Sequence, residues 1–482
     1  MADVAALQAG YASGDLSPVE ATESALSRIA AADPVLHAMQ TVYADRAQAA
    51  AEASKQRWRA GAPLSPLDGV PVTIKENVDV AGEPTRWGTA ATPPVPAERN
   101  APIMDRLIVA GAVVLGKTTM PDWGMLSSGV SSLHPTTRNA WNADWNVGGS
   151  SSGAGAATAA GYAPINLGSD IGGSIRLPSH WNGCVGFKPS FGRIPVDPPY
   201  IGRTIGPLTR TVADAAAVLR ILAGPDIRDP YSLPTDAPSW TDVDRTDADW
   251  TEPGLNPARL RIALLTDAGC GTPTDSEILD TVESAATVFA GAGATIVPIP
   301  GFLRPELLQR VDRFWRVGHW NDYLRLPEER REMLLPFVAE WCRAGAGLTG
   351  PEAVDGSDAQ LQIARETLAA TADYDLVLSA VSPQATYPAD WPMPSNDVEH
   401  AMDHIGFCLP YNMSGQPAIT VNAGFTTDGR PIGIQLAGRR FGDRELLAAA
   451  AFFESERPSS AVREWPRIWA ESDDNGQTTE GR

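Results

Sequence analysis

Between Gly148 and Arg176 the chain reads GGSSSGAGAATAAGYAPINLGSDIGGSIR, two Gly/Ser clusters separated by a small-residue run and a short apolar one. Serine is the candidate nucleophile common to both clusters, and it attacks a carbonyl effectively only when a base takes its proton. Glycines packed around serines open backbone conformations closed to other residues. They also let main-chain N–H groups approach a polarised carbonyl, which is one way to build an oxyanion hole. Such clusters, taken alone, equally fit flexible linkers. Their context argues otherwise: Ala154 to Gly161 is alanine-rich and helix-favouring, and Ile165 to Leu167 reads as the end of a buried strand. Both clusters therefore fall at element ends, where sites are commonly built.

No motif marks a histidine as the base. Of His37, His134, His180, His319, His400 and His404, only the last two stand at i, i+4, without the Glu of an HEXXH pattern, so no metal site is expected there. His180 is nearest the second cluster in sequence, which says little about orientation. Hydrolytic constellations with lysine as base exist. Lys75 lies in LDGVPVTIKENVDV (Leu67 to Val80), an apolar, β-branched run that predicts a strand leading into a loop. Burying an ammonium there is costly unless it is paired or loses its proton. Two readings stay open on these residues. Lys75 is either a neutral proton acceptor, or a strand-end lysine that pairs with Glu76 or Asp79 or reaches water.

The elements that must position these groups follow from pattern. Ser17, Pro18 and Glu20 form a capping signal for a helix to about Ala31, and a second helix covers about Thr41 to Ala60. Met104 to Ala110 reads as helix and Ala112 to Gly116 as strand, followed by an irregular passage from Trp123 to Trp145. Cys184 to Phe187 is a short apolar run and Val212 to Leu222 a helix. Residues 224–257 are acidic and rich in Pro, Asp and Thr, which predicts a surface excursion. Strand and helix then alternate again: Leu260 to Leu265, Ser276 to Ala290, Thr295 to Ile299, helices between Pro305 and Ala344 and between Asp358 and Ala372, and strand Tyr374 to Ala380. A strand pair, Pro417 to Ala423 and Pro431 to Ala437, precedes helix Asp443 to Glu456 and a polar, disorder-prone tail at 471–482. Such alternation argues for an α/β layered architecture with helices on both faces of a mixed sheet.

Composition narrows the partners. The 482 residues, 43% of them hydrophobic, allow a large core, and a formal charge of −20 without a basic run disfavours nucleic acid and anionic membrane surfaces. No apolar run approaches membrane-spanning length and the N-terminus lacks a signal-peptide pattern, so a cytoplasmic location is expected. Cys184, Cys270, Cys342 and Cys408 are far apart, with neither disulfide nor zinc spacing.

The motifs form an ordered set. GVPVTIKEN at Gly69 to Asn77, TRNAWN at Thr137 to Asn142, GGSSSG at Gly148 to Gly153, GSDIGGSIRLPS at Gly168 to Ser179 and GFKPSFGRIP at Gly186 to Pro195 resemble the amidase signature family of hydrolases. YNMSGQPAITVNAGF at Tyr411 to Phe425 and GRPIGIQLAGR at Gly429 to Arg439 extend the resemblance over about residues 5 to 455. It implies one large layered α/β domain over residues 1–470, with a central mixed twisted sheet and a helical substrate-pocket insert at 301–372. It implies Ser174 as acyl-forming nucleophile, Ser150 as the bridging residue on a cis peptide, and Lys75 as base. The N–H groups of Ile171, Gly172, Gly173 and Ser174 are expected to hold the oxyanion, with Ser151, Asp170 and Arg176 supporting the loop. Ser152 departs from the family pattern, which commonly has glycine there.

The resemblance specifies the bond better than the substrate. Pocket segments are expected at Trp123 to Leu133, Val196 to Arg203, Phe314 to Tyr323 and Ala385 to His404. Trp123, Met125, Gly149, Tyr200, Trp315 and Trp320 are candidate lining residues, with Phe314 and Trp391 beside them. These suggest a small apolar or aryl amide as substrate, water as second reactant, and neither cofactor nor metal. An aryl carbamate or ester hydrolase is the alternative. The glutaminase subunit of a tRNA-dependent amidotransferase is disfavoured by the acidic balance and by DIGG where that subunit usually has DTGG. A nucleotide-binding module is disfavoured because no GK[ST] ending is present and GAGAAT does not match GxGxxG. A non-catalytic binding protein is expected to lack one of the three reacting residues. The oligomeric state stays open, a homodimer among the alternatives.

Overall fold

Eleven short strands, most of them rich in buried apolar residues, make one mixed sheet in the computed structural model, which describes residues 1–234 and 255–468. They are β1 (Met39–Val42), β2 (Pro71–Lys75), β3 (Val113–Thr118), β4 (Ile165–Asp170), β5 (Val185–Lys188), β6 (Thr204–Thr209), β7 (Arg261–Leu265), β8 (Thr295–Pro298), β9 (Leu376–Ala380), β10 (Ala418–Phe425) and β11 (Pro431–Gly438). Their spatial order is β1-β3-β2-β4-β6-β5-β10-β11-β9-β7-β8. β2 runs parallel to both β3 and β4, and β7 parallel to both β8 and β9.

Helices cover both faces, as the alternation predicts. In β3, Val113 and Leu115 pack with helices Pro18–Leu36, Ala44–Arg59 and Ser152–Ala160, while Val114 joins the core shared with helices Val212–Leu222, Ser276–Gly291 and Asp443–Glu456. Successive side chains of a strand point to opposite faces, so one strand feeds both cores. A third apolar cluster lies among Pro305–Arg325, Pro336–Arg343 and Gly350–Thr371, all between β8 and β9 in sequence. Among the described residues no helix is long and apolar enough to cross a membrane.

Several boundaries differ from expectation for local reasons. The Ser17/Glu20 capping box forms, but its helix continues past Ala31 to Leu36 with Pro34 inside it. The next helix begins at Ala44, because Met39–Val42 is claimed by pairing with β3. Pro327 and Pro336 flank the short Glu328–Arg331 helix and help divide the expected 305–344 helical stretch into three. The Gly350–Thr371 helix starts earlier than expected because Thr349 and Glu352 cap it reciprocally. Within the expected excursion, Asp229 is buried and accepts from Val196 N, and Arg228 pairs with Asp105 and Asp226, so that part is anchored. The middle of the excursion and the tail expected at 471–482 lie outside the described residues.

Candidate active site

Lys75 is the last residue of β2, and every residue of that strand is buried. Parallel pairing of Ile74 with Leu167 sets the ends of β2 and β4 side by side, so the first strand delivers the lysine next to Ser169 of the second. Lys75 Nζ lies 2.8 Å from Ser150 Oγ, 3.1 Å from Ser151 Oγ and 3.1 Å from Ser169 Oγ. Burial pushes its pKa well below the ordinary lysine value and the nearby charge of Arg203 adds to this, against the opposing pull of Asp170 and Glu76. The three serine hydroxyls are neutral partners, so nothing in direct contact compels Lys75 to stay protonated.

Ser150 follows a cis peptide bond after Gly149. Gly149 itself is wedged against the backbone of Leu126 and Ser128, where a Cβ would come within 2.7 Å. Ser151 is more than a loop support: its hydroxyl touches Lys75, accepts from Ser169 N at 3.2 Å and donates to Ser169 O at 3.2 Å. Ser152, the departure from the family pattern, opens the Ser152–Ala160 helix and donates to Ser128 O at 2.6 Å. The extra hydroxyl is thus satisfied and ties the two loops together.

Past β4 the chain turns sharply around one carboxylate. Asp170 accepts from Gly173 N at 2.9 Å and Ile175 N at 3.0 Å, and pairs with Arg176 at 2.8 Å. Burial alone raises a carboxyl pKa, but the charge and hydrogen bonds of Arg176, with Ile175 N and Asn412, outweigh it and hold Asp170 well below the usual range. This corrects the expected oxyanion set, because the Gly173 N–H is already engaged by Asp170. The N–H groups of Ile171, Gly172 and Ser174 have no acceptor among the described residues. Gly173 has φ +121°, and a Cβ there would meet Leu177 and Cys408 at 2.9 and 3.0 Å. Gly172 has no such constraint: its Cβ would stand 3.5 Å from Ile405 and 3.8 Å from Trp315, in ordinary contact.

Ser174 is half-buried and faces a cavity of about 520 Å³, and a smaller recess behind it is lined by both Ser150 and Ser174. All four expected pocket segments contribute to the cavity, through Trp123 to Ser127, Pro198 to Arg203, Trp315 to Asp322, and Met393 with Met402, and Ile405 just beyond the last segment joins them. Trp123, Met125, Tyr200 and Trp315 line it; Gly149, Phe314, Trp320 and Trp391 do not. Helical periodicity accounts for Trp320, since Trp315, His319, Asp322 and Leu326 share one face and position 320 turns away to stack on Tyr323 at 5.3 Å. His400 and His404 also part: the first pairs with Asp403, and the second is buried against Ser127 Oγ at 2.7 Å.

Five contributors were not singled out by sequence reasoning, although Ser127 and Arg203 fall inside expected pocket segments. Ser169 bridges Lys75 and Asn77, whose Nδ2 lies 3.1 Å from the same hydroxyl. Trp87 and Arg203 form another wall, and Ser127 presents a second serine to the cavity. Trp87, like Trp123, has a positive φ, 55° and 50°, uncommon for a bulky residue and a sign of a tightly held backbone. Ser169 and Asn77 sit inside the motifs already quoted and were legible there; Trp87 and Arg203 carry no local pattern.

Comparison with known proteins places the chain among amidases. The family model described as Amidase matches residues 20–447. An acylamidase of Rhodococcus erythropolis is 37% identical over 468 residues, 94% of each chain. A glutamyl-tRNA(Gln) amidotransferase chain of Chloroflexus aurantiacus is 34% identical over 92% of this chain and 94% of its own. Among solved structures, a bacterial aryl acylamidase of the amidase signature family superposes with a TM-score of 0.83 at 28% identity, covering 95% of this chain and 96% of its own.

Proposed function

The chain belongs to the amidase signature family and is an amide C–N bond hydrolase, and from that premise we propose that Ser174 is its acyl-forming nucleophile, acting on a small aryl or apolar amide. The observation that supports this best is the buried Lys75, its pKa pushed well below the ordinary lysine value, 2.8 Å from Ser150, which shares a recess with Ser174. In this reading Ser174 attacks the amide carbon while its proton passes to Ser150 Oγ and that of Ser150 to Lys75 Nζ. The carbonyl oxygen gains charge against the unclaimed N–H groups of Ile171, Gly172 and Ser174. The C–N bond then breaks, the relay returns a proton to the leaving amine, and water, deprotonated by the same relay, releases the acid from Ser174.

Substrate preference rests on the walls. Trp87, Trp123, Tyr200, Trp315 and the methionines 125, 393 and 402 give the cavity aromatic and thioether surface, suited to an aryl group. The name of the acylamidase relative and that of the aryl acylamidase neighbour fit this better than a glutaminase does. Aryl carbamates and esters pass through the same tetrahedral chemistry and remain the alternative substrates. The test is turnover of anilides, aliphatic amides, aryl carbamates and glutamine by the isolated chain, with Ser174→Ala alongside. Anilide hydrolysis absent from the variant is the expected result, and glutamine as the only substrate would overturn it. Labelling by an aryl fluorophosphonate adds a second check: the modified peptide should carry Ser174, and a label on Ser127, which His404 contacts, would move the nucleophile there.

A further inference from the structure

The carboxylates around the reaction centre are paired, whereas one arginine beside it has no carboxylate partner among the described residues. Asp170 is held by Arg176 at 2.8 Å, and Asp322 at the cavity wall meets Arg325 at 3.5 Å. Arg203 lines both the outer cavity and the recess behind Ser174, and no carboxylate pairs with it among the described residues. Its guanidinium carbon lies 5.3 Å from the centre of the Trp87 ring and 5.0 Å from that of Tyr200, and its hydrogen bond is a long one, 3.4 Å, to Pro198 O. Arginine keeps its charge in proteins and carries five N–H donors. Aromatic faces compensate part of the cost of drawing such a cation out of water, but they leave its in-plane donors unused.

A cation flanked by rings and open to a cavity is a receptor for an anion. The matching partner for a planar fork of N–H donors is a carboxylate, which it binds with two parallel hydrogen bonds. We propose that Arg203 binds a carboxylate borne by the substrate, so that the preferred substrates are amides that combine an aryl group with a free carboxylate a few bonds from the scissile carbonyl. The inference rests on the amidase reading of the same cavity. The aromatic walls receive the ring, Arg203 receives the carboxylate, and the carbonyl lies between them at Ser174. Arg203 in this role touches the substrate and sets specificity; it exchanges no proton.

Matched substrate pairs test this on the wild-type chain: succinanilate against butyranilide, with the carboxylate on the acyl half, and 3-acetamidobenzoate against acetanilide, with it on the amine half. The expected result is a preference of roughly 10- to 100-fold in kcat/KM for the carboxylate in at least one pair, carried mainly by KM. In Arg203→Met that ratio should fall toward one, and Arg203→Lys should retain part of it as a point charge. Because each ratio is taken within one protein sample, a loss of folded enzyme cancels. Hydrolysis of the neutral anilides as fast as, or faster than, their carboxylates in both pairs overturns the proposal while leaving the amidase reading intact. A carboxylate preference that survives in Arg203→Met overturns it too. Failure to hydrolyse any amide refutes the amidase reading, and this proposal with it.

Discussion

Lys75 can act as a base only when it has lost its proton, and its burial and the charge of Arg203 both favour that loss. Activity should therefore rise with pH along a single acid limb that reports Lys75. Removing the neighbouring positive charge in Arg203→Met relaxes one of the forces holding that proton off, so the limb should move to higher pH, read from kcat/KM for acetanilide across pH. An unmoved limb would assign the ionisation elsewhere. The two loop glycines make a second contrast. Gly173→Ala forces a side chain into a positive φ and against Leu177 and Cys408, and should destabilise the fold by about 1–3 kcal/mol in urea unfolding. Gly172→Ala meets Ile405 and Trp315 at ordinary distances, so stability should hold while KM rises for bulky anilides. At this scale the sequence was legible where a motif names the residue: Ser150 and Ser174 line one recess, and Lys75 lies 2.8 Å from Ser150. It misled at Gly173, whose N–H is turned away by Asp170. It placed Arg203 at the end of an expected pocket segment without singling it out, because the lack of an ion-pair partner among the described residues is something no local pattern records.

Two parallel strands and one short helix carry the arrangement. β2 ends in Lys75, β4 ends in Asp170, and the Arg176–Asn182 helix starts where Arg176 reaches back to Asp170, Gln435 and Asn412. Asp170→Asn leaves Arg176 buried with its charge uncompensated, a change expected to cost about 3–5 kcal/mol and to lower Tm before any question of activity arises. A Tm within error of wild type would show the pair to be dispensable. Long elements with strong patterns were readable, such as Val212–Leu222 and Asp443–Glu456, both recovered with their expected bounds. Apart from the ten-residue Val4–Ser13 helix, those missed were short. RLPSHWN looks unlike a helix because Pro178 interrupts it and four of its seven residues are polar or charged, yet all seven are buried. TIGPLT looks unlike a strand because of its glycine and proline, and it is held between β4 and β5 by pairing with both. Tertiary contacts, not propensity, decide such segments.

At the scale of the whole chain, the N-terminal Val4–Ser13 helix is fastened to the body through a buried acid. Asp214 accepts from Val4 N at 2.8 Å, and burial pushes its pKa up to about 6 against the hydrogen bonds from Val4 and Thr211. An acid whose folded pKa is raised binds its proton more tightly when native. Its stabilising protonation is complete below the unfolded value near 4 and is lost as pH rises through about 6. Asp214→Asn removes the titration, so the Tm of the variant minus that of wild type should grow between pH 4 and pH 7; a constant difference would refute the linkage. Arg203, finally, has a consequence before any substrate is bound. It waits for an anion inside a body of formal charge −20, which repels that anion on approach. Raising ionic strength from 0.01 to 0.15 M shortens the Debye length from about 30 to about 8 Å, enough to mute this repulsion while barely weakening a contact inside the cavity. Capture of carboxylate substrates should thus quicken with added salt while neutral anilides stay indifferent, so that the surface governs arrival and one half-buried cation in the cavity governs retention.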